Sequence, residues 1–198
     1  MTTHLRRSIV LALLAIVVTF VYAMAGTAVA QIFFKGQADG SITANGSTLI
    51  GQNWPSHQWF HGRPDDTGPY AANPKAHVSG GDNPLVANGV SGQSGATNLG
   101  PRSAVLKSDT EALVAYWHKM GVMDPTPDLV TTSASGYDPD ITPQDAIVQI
   151  PMVSRATGIA PSVLKELVVR ETHGAEWGFL GSSYVDVLQL NEALRQLR

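Results

Sequence analysis

The sequence predicts an α+β protein in which one N-terminal transmembrane helix precedes a small domain of mixed helices and strands. Three observations carry this expectation. The segment 8–34 contains no charged side chain. Beyond it, amphipathic helical patterns alternate irregularly with short strand-like runs and turn-rich loops. No internal repeat and no regular βαβ order links those runs, so the helices and strands are expected to segregate into one domain.

The apolar segment sets the architecture. At about 1.5 Å per residue, the stretch 8–34 makes a helix of roughly 40 Å, longer than the ~30 Å hydrocarbon core of a bilayer. Ten of the residues from Ile9 to Val21 are Leu, Ile, Val or Phe, and at about −0.3 to −0.6 kcal/mol apiece insertion is favourable by a few kcal/mol. Arg6 and Arg7 precede the run, whereas only Lys35 follows it closely. The positive-inside bias therefore keeps 1–7 as a cytoplasmic tail and places 35–198 outside, as a periplasmic or otherwise extracytoplasmic domain. A cleaved secretory signal is the alternative, because Arg6-Arg7, the apolar stretch and Ala28-Val29-Ala30 fit its three regions. Against it, the run exceeds the roughly 7–15 residues of a signal core and continues through Ile32, Phe33 and Phe34. Both readings export the C-terminal domain.

After the helix about 160 residues remain, enough to bury one core. The chain has no cysteine, which excludes disulfides, iron–sulfur clusters and thiolate zinc sites and leaves packing to stabilise the domain. All 16 acidic residues lie beyond the helix and two of the 13 basic ones lie before it, so the outer part carries a net charge of −5. That sign disfavours nucleic acid and anionic lipid, and favours cations or proteins as partners.

Along the outer domain, 46–52 reads as a short strand between polar turns. Asn53 to Pro64, with Trp54, Trp59 and Phe60, reads as a packed aromatic loop or irregular strand. Asp65 to Gly100 is rich in Gly, Asn, Ser and Pro, and is expected to be a long loop that orders on assembly. Leu106, Thr110, Leu113, Trp117 and Met120 recur at helical spacing between Ser103 and Met120, with Gly121 as the stop. Leu129–Thr132 reads as a strand and Ser133–Asp140 as a turn-rich loop. Thr142-Pro143-Gln144-Asp145 opens a helix to about Thr157, with Pro151 as an expected kink. A further helix starts near Pro161 with Val163, Leu164, Leu167 and Val168 on its apolar face. Val185–Leu188 reads as a strand, and Asn191 as the cap of a final helix ending near Leu197.

The sequence lacks the motifs of ATP chemistry: no G-x-x-x-x-G-K-[ST], no kinase catalytic loop and no D-K-T-G segment. Of the six histidines only His57 and His61 stand four apart, and Pro64 with the surrounding aromatics argues against the helix that would make them converge, so no metal site is expected. Ser162-Val163-Leu164-Lys165 is an S-x-x-K at a helix start, in which Ser162 would be nucleophile and Lys165 base of a membrane-tethered periplasmic serine hydrolase. It has no S-D-N or K-T-G companion, and both residues suit a solvated helix face. Ser133-Ala134-Ser135-Gly136 and the following Tyr137-Asp138-Pro139-Asp140 present two readings, an anion cradle of backbone N–H groups or a local Asx or Ser/Thr turn.

Several blocks in order resemble the KdpC family of potassium-transporting Kdp ATPase subunits. They are Leu49-Ile50-Gly51-Gln52, Phe60-His61-Gly62-Arg63-Pro64, the segment from Ser94 to Pro101, and Asp128 to Pro139. Ile141-Thr142-Pro143, Gln149-Ile150-Pro151 and Val185 to Asn191 complete the series. Tyr137 stands where the family usually has Leu and Asp186 where it has Asn, and Gly80–Gln93 looks like an insertion.

The resemblance implies a non-catalytic accessory subunit of an ATP-driven potassium uptake complex in a bacterial cytoplasmic (inner) membrane. Its partners would be a channel-like potassium-binding subunit (KdpA), a P-type ATPase subunit (KdpB) and a very small membrane peptide (KdpF). ATP would be used by the complex, with no cofactor held tightly by this chain. The family has been assigned a role in nucleotide binding by the ATPase subunit, which would make Thr132, Ser133, Ser135 and Gly136 the contact. An exported domain cannot reach a cytoplasmic nucleotide across about 30 Å of hydrocarbon. A mechanical role in assembly, with the acidic domain over the potassium entrance, is therefore expected. Trp54, Trp59, Phe60 and Arg63 are the expected partner contacts, and Arg63 with Asp138 the expected fasteners of loops.

Overall fold

The computed structural model describes residues 2–52, 54, 56–64 and 97–198. The chain divides into two compact units, Met1–Ala44 and Asn45–Arg198. The expected loop Asp65–Gly100 lies outside the described residues up to position 96, as does the insertion at Gly80–Gln93.

The first unit is dominated by α1, Thr2–Phe33, followed by the single turn α2, Lys35–Ala38, and the two-residue strand β1, Ile42–Thr43. Helix α1 is long and apolar enough to cross a membrane, and its Leu, Ile, Val and Phe side chains are exposed all round. Such a surface is stable only against lipid or other apolar helices. Two of its hydroxyls are satisfied within the helix: Thr19 Oγ1 donates to the Ala15 carbonyl at 2.8 Å, and Thr27 Oγ1 to that of Ala23 at 3.0 Å. In hydrocarbon, where no water is at hand, that back-bonding removes the penalty of a bare donor.

The second unit begins with β2, Gly46–Ser47. The expected strand stops there, because the Gln52 side chain donates to the carbonyls of Ser47 (3.1 Å) and Ile50 (3.0 Å), folding 47–52 into turns. Helix α3, Ala104–Lys119, starts at Ser103, whose hydroxyl accepts from Leu106 N at 3.3 Å. It ends in paired reverse bonds, Gly121 N to the His118 carbonyl (2.9 Å) and Val122 N to that of Trp117 (3.0 Å), with Gly121 at φ 81°. This is the six-to-one closure that favours glycine. Leu113, Trp117 and Met120 are buried, as their spacing predicts.

The expected strand at Leu129–Thr132 is instead a 3₁₀ turn, Pro127–Val130. Proline at its first position presets φ, and Trp117 Nε1 reaches in to bond the Leu129 carbonyl at 2.9 Å. Strand β3, Asp140–Ile141, pairs antiparallel with β4, Val185–Asp186, with Asp140 opposite Asp186 and Ile141 opposite Val185. Helix α4, Pro143–Thr157, opens on a full capping box: Asp145 N donates to Thr142 Oγ1 (3.2 Å), and Thr142 N to Asp145 Oδ2 (2.6 Å). It runs unbroken through Pro151, whose ring lies on the exposed side. Arg155 near its end donates to the Met120 carbonyl at 2.7 Å and ties α4 to the close of α3.

Helix α5, Pro161–Arg170, buries Leu164, Leu167 and Val168, while Val163 is exposed and leaves the expected apolar face. Helix α6, Val187–Gln196, begins where a strand was expected to continue, because Asp186 caps it by accepting from Gln189 N at 2.8 Å. Asn191, expected as the cap, sits inside α6 with no exposed surface. The core gathers α4 against α5, α5 against α6 and α3 against the 3₁₀ turn.

Candidate functional site

The segment 60–64 threads through the middle of the second unit and is held there by two buried carboxamides. Phe60 N donates to Asn191 Oδ1 at 2.9 Å, and Asn191 Nδ2 donates to the Phe60 carbonyl at 2.8 Å. One residue on, His61 N donates to Gln149 Oε1 at 2.8 Å, and Gln149 Nε2 to the His61 carbonyl at 3.0 Å. Gln149 from α4 and Asn191 from α6 thus play the part of neighbouring strands, satisfying backbone groups that no sheet reaches. Phe60, Gln149 and Asn191 are fully buried.

Arg63 then fans out over the loops. Its guanidinium donates to the Thr132 carbonyl at 3.0 Å, and lies 3.5 Å from Asp128 and 3.6 Å from Asp138. One side chain therefore fastens 60–64 to both ends of the serine-rich loop, which is the fastening role expected of Arg63 and Asp138. Beneath it lies a cavity of about 20 Å³, lined in part by Trp54, His61, Arg63 and Gly136. Trp54 Nε1, Arg63 Nε and both His61 ring nitrogens are buried without a hydrogen-bond partner among the described residues. Burial first, and the charge of His57 second, hold the His61 pKa down to about 3, so its imidazole is neutral at physiological pH. The ring packs edge-on to Trp117 with centroids 5.9 Å apart.

The serine-rich loop spends its polar groups on itself. Ser133 is buried and its Oγ accepts from Gly136 N at 3.0 Å; Ser135 Oγ accepts from Tyr137 N at 3.2 Å, and the two hydroxyls lie 3.2 Å apart. Asp138 Oδ1 accepts from Asp140 N at 3.1 Å. Of the two sequence readings, the local turn is the one formed, and it engages the N–H groups of Gly136, Tyr137 and Asp140. The cavity beside Gly136 also falls far below the roughly 300–1,000 Å³ of small-molecule sites.

A second feature is acidic. Asp140 and Asp186 face each other across β3 and β4 and line an open groove with His173, Tyr184 and Gln189. Burial, then the charges of Asp186 and Asp138, push the Asp140 carboxyl up to about 6, against the pull of His173. Burial also raises Asp186, while the N–H groups of Gln189 and Leu188 hold it down.

A family model for the c chain of the K+-transporting ATPase, KdpC, matches residues 5–196. The potassium-transporting ATPase KdpC subunit of Methylorubrum populi is 39% identical over 204 residues, covering 100% of this chain and 98% of that protein. The KdpC subunit of Bradyrhizobium diazoefficiens is 38% identical, covering 98% and 97%. That of Gloeobacter violaceus is 38% identical over 183 residues, covering 89% and 87%. The chain belongs to the KdpC family.

For this KdpC-family chain the expected site residues sort by burial. Phe60 and Trp54 are core residues, 0% and 8% exposed, and the interior fills the place expected of a partner for them. Trp59 is half-buried, with its ring 5.3 Å from that of Trp54 and the guanidinium carbons of Arg195 and Arg198 each 5.5 Å from its centroid. Thr132 contributes its carbonyl to Arg63, and Ser135 is exposed. Ser162 and Lys165 are both exposed on α5, as suits the solvated face of an amphipathic helix. His57 is exposed and His61 buried. The residues that sequence reasoning missed are Gln149 and Asn191. Their signal was present, since Gln149-Ile150-Pro151 and the run ending at Asn191 are among the blocks that carry the family likeness.

Proposed function

We propose that this chain is a non-catalytic accessory subunit that stabilises the assembly of the channel-like (KdpA) and ATPase (KdpB) subunits, with the small peptide KdpF beside them. In this reading α1 spans the membrane, the tail with Arg6 and Arg7 stays in the cytoplasm, and the acidic outer domain covers the potassium entrance. The observation that carries it is the match of residues 5–196 to the c chain of a potassium-transporting ATPase, in a chain whose long apolar helix α1 precedes a compact second unit. Trp59 and Arg63 keep enough exposure to touch a partner; Phe60 and Trp54 act through the core.

ATP is consumed by the complex and not held by this chain. Support comes from the serine loop, in which the Ser133 and Ser135 hydroxyls already accept from the N–H groups of Gly136 and Tyr137, and from the positive-inside rule. Attraction of potassium by the acidic domain is screened beyond a Debye length of about 8 Å, so selectivity is left to the channel-like subunit. The test is a pair of C-terminal reporter fusions, alkaline phosphatase for an exported end and a fluorescent protein for a cytoplasmic one. Phosphatase activity is expected. A fluorescent, phosphatase-inactive C-terminus would return the nucleotide role to first place.

A further inference from the structure

The hairpin His173–Tyr184 carries an aromatic residue where local chemistry argues against one. Trp177 is 84% exposed and Phe179 73%. Trp177 and Gly178 have φ of 51° and 81°, and Phe179 N donates to the Glu176 carbonyl at 3.2 Å. Two successive positive φ values closed by that bond make a type I′ turn, whose first central position suits Asn, Asp or Gly. A bulky residue there is an outlier. The turn is nonetheless well held. His173 and Tyr184 exchange backbone bonds of 2.8 and 3.0 Å, Glu176 and Leu180 exchange two of 2.9 Å, and the His173 and Tyr184 rings stack at 4.9 Å. Backbone strain and hydrated apolar surface thus fall on one side chain, and an ordered scaffold keeps it presented.

We infer that the tip formed by Trp177, Phe179 and Leu180 is a docking knob for an apolar pocket on another chain of the K+-transporting ATPase. This rests on the subunit reading given above. The occupant follows from charge. The hairpin His173–Tyr184 carries one acidic residue, Glu176, and no lysine or arginine, the reverse of what an anionic lipid surface selects. A protein pocket with a neutral or basic rim complements it, and tryptophan is the residue most often found at the centre of such contacts.

The test uses the full chain co-expressed with the other chains and extracted in mild detergent, comparing wild type with Trp177→Asn and Phe179→Ser. Trp177→Asn creates the favoured Asn-Gly turn. It is expected to keep or raise the Tm of the chain while weakening co-purification about tenfold or more, as for a truncated interface anchor. Phe179→Ser is expected to weaken it in the same direction. Unchanged assembly with both variants overturns the knob alone, and a lowered Tm for Trp177→Asn overturns the strain argument behind it. Loosening seen only in nanodiscs and not in detergent names lipid as the occupant and overturns the protein pocket. Self-association of the isolated full chain that Trp177→Asn abolishes does the same in favour of a second copy. Failure of the wild-type chain to co-purify overturns the subunit reading, and the knob with it.

Discussion

Replacing Asn191 by alanine removes both hydrogen bonds that hold the Phe60 backbone and leaves one N–H and one carbonyl stranded in the interior. Both groups belong to a residue with no exposed surface, and the bonds they lose are 2.9 and 2.8 Å long. An unpaired buried polar group costs about 1–3 kcal/mol, so the pair predicts a loss of roughly 2–6 kcal/mol. Against a domain stability of about 5–15 kcal/mol that is a large fraction. At about 2–4 °C per kcal/mol for a chain of this size, Tm falls by roughly 5–20 °C. Thermal and urea unfolding of the full-length chain in detergent, followed by tryptophan fluorescence, reads the change through Trp54, Trp59 and Trp117. Asn45→Ala is the control, because Asn45 bonds the exposed side chains of Glu192 and Arg195, and it is expected to change stability by less than about 1 kcal/mol. If Asn191→Ala unfolds within about 1 kcal/mol of wild type, the clamp does not hold the aromatic segment in the way its geometry implies.

Three further outcomes follow from the same structure. The Asp140 carboxyl is raised from 3.8 to about 6, so the folded state binds its proton more tightly than the unfolded state; that stabilisation is complete below pH 3.8 and is lost as pH rises through about 6. Asp140→Asn is expected to flatten the dependence in this window and to stabilise the chain at pH 7 by about 1 kcal/mol, the effect being reduced by solvent screening; a wild-type slope in urea titrations at pH 5 and 7 refutes it. Arg63→Ala separates the serine loop from 60–64 and is expected to cost about 1–3 kcal/mol. Arg63→Lys is expected to recover little of that loss, since one ammonium cannot span the Thr132 carbonyl and two carboxylates; hydrogen exchange over 127–138 reads the loosening. Gly121→Ala meets both a φ of 81° and the Arg155 guanidinium, which occupies the space the added methyl needs. It is expected to cost about 1–2 kcal/mol in chemical denaturation and to free the bond from Arg155 to Met120.

Features encoded within one turn of chain were legible in advance. Thr142, Pro143 and Asp145 specify the start of α4 among themselves, and Ser103 and Gly121 bracket α3, because capping partners sit three or four residues apart. The apolar helix and the fastening role of Arg63 and Asp138 were likewise readable. The short strands were less so. Val185, Val187 and Leu188 suit a strand, yet the ladder ends at Asp186 because that carboxylate caps α6. Leu129 and Val130 instead close the 3₁₀ turn Pro127–Val130, whose Leu129 carbonyl accepts from the Trp117 indole.

By itself the sequence determined the lone apolar helix, the starts and stops of the amphipathic helices and the family likeness, since each resides in side-chain chemistry or in ordered blocks along the chain. Only the tertiary structure decided that Asn191 is a clamp rather than a cap, that Phe60 and Trp54 are interior, and that Asp140 opposes Asp186. Those outcomes depend on which distant segment arrives at each side chain. Asn191 and Phe60 are 131 positions apart, and no local propensity carries information about a partner that far along the polypeptide.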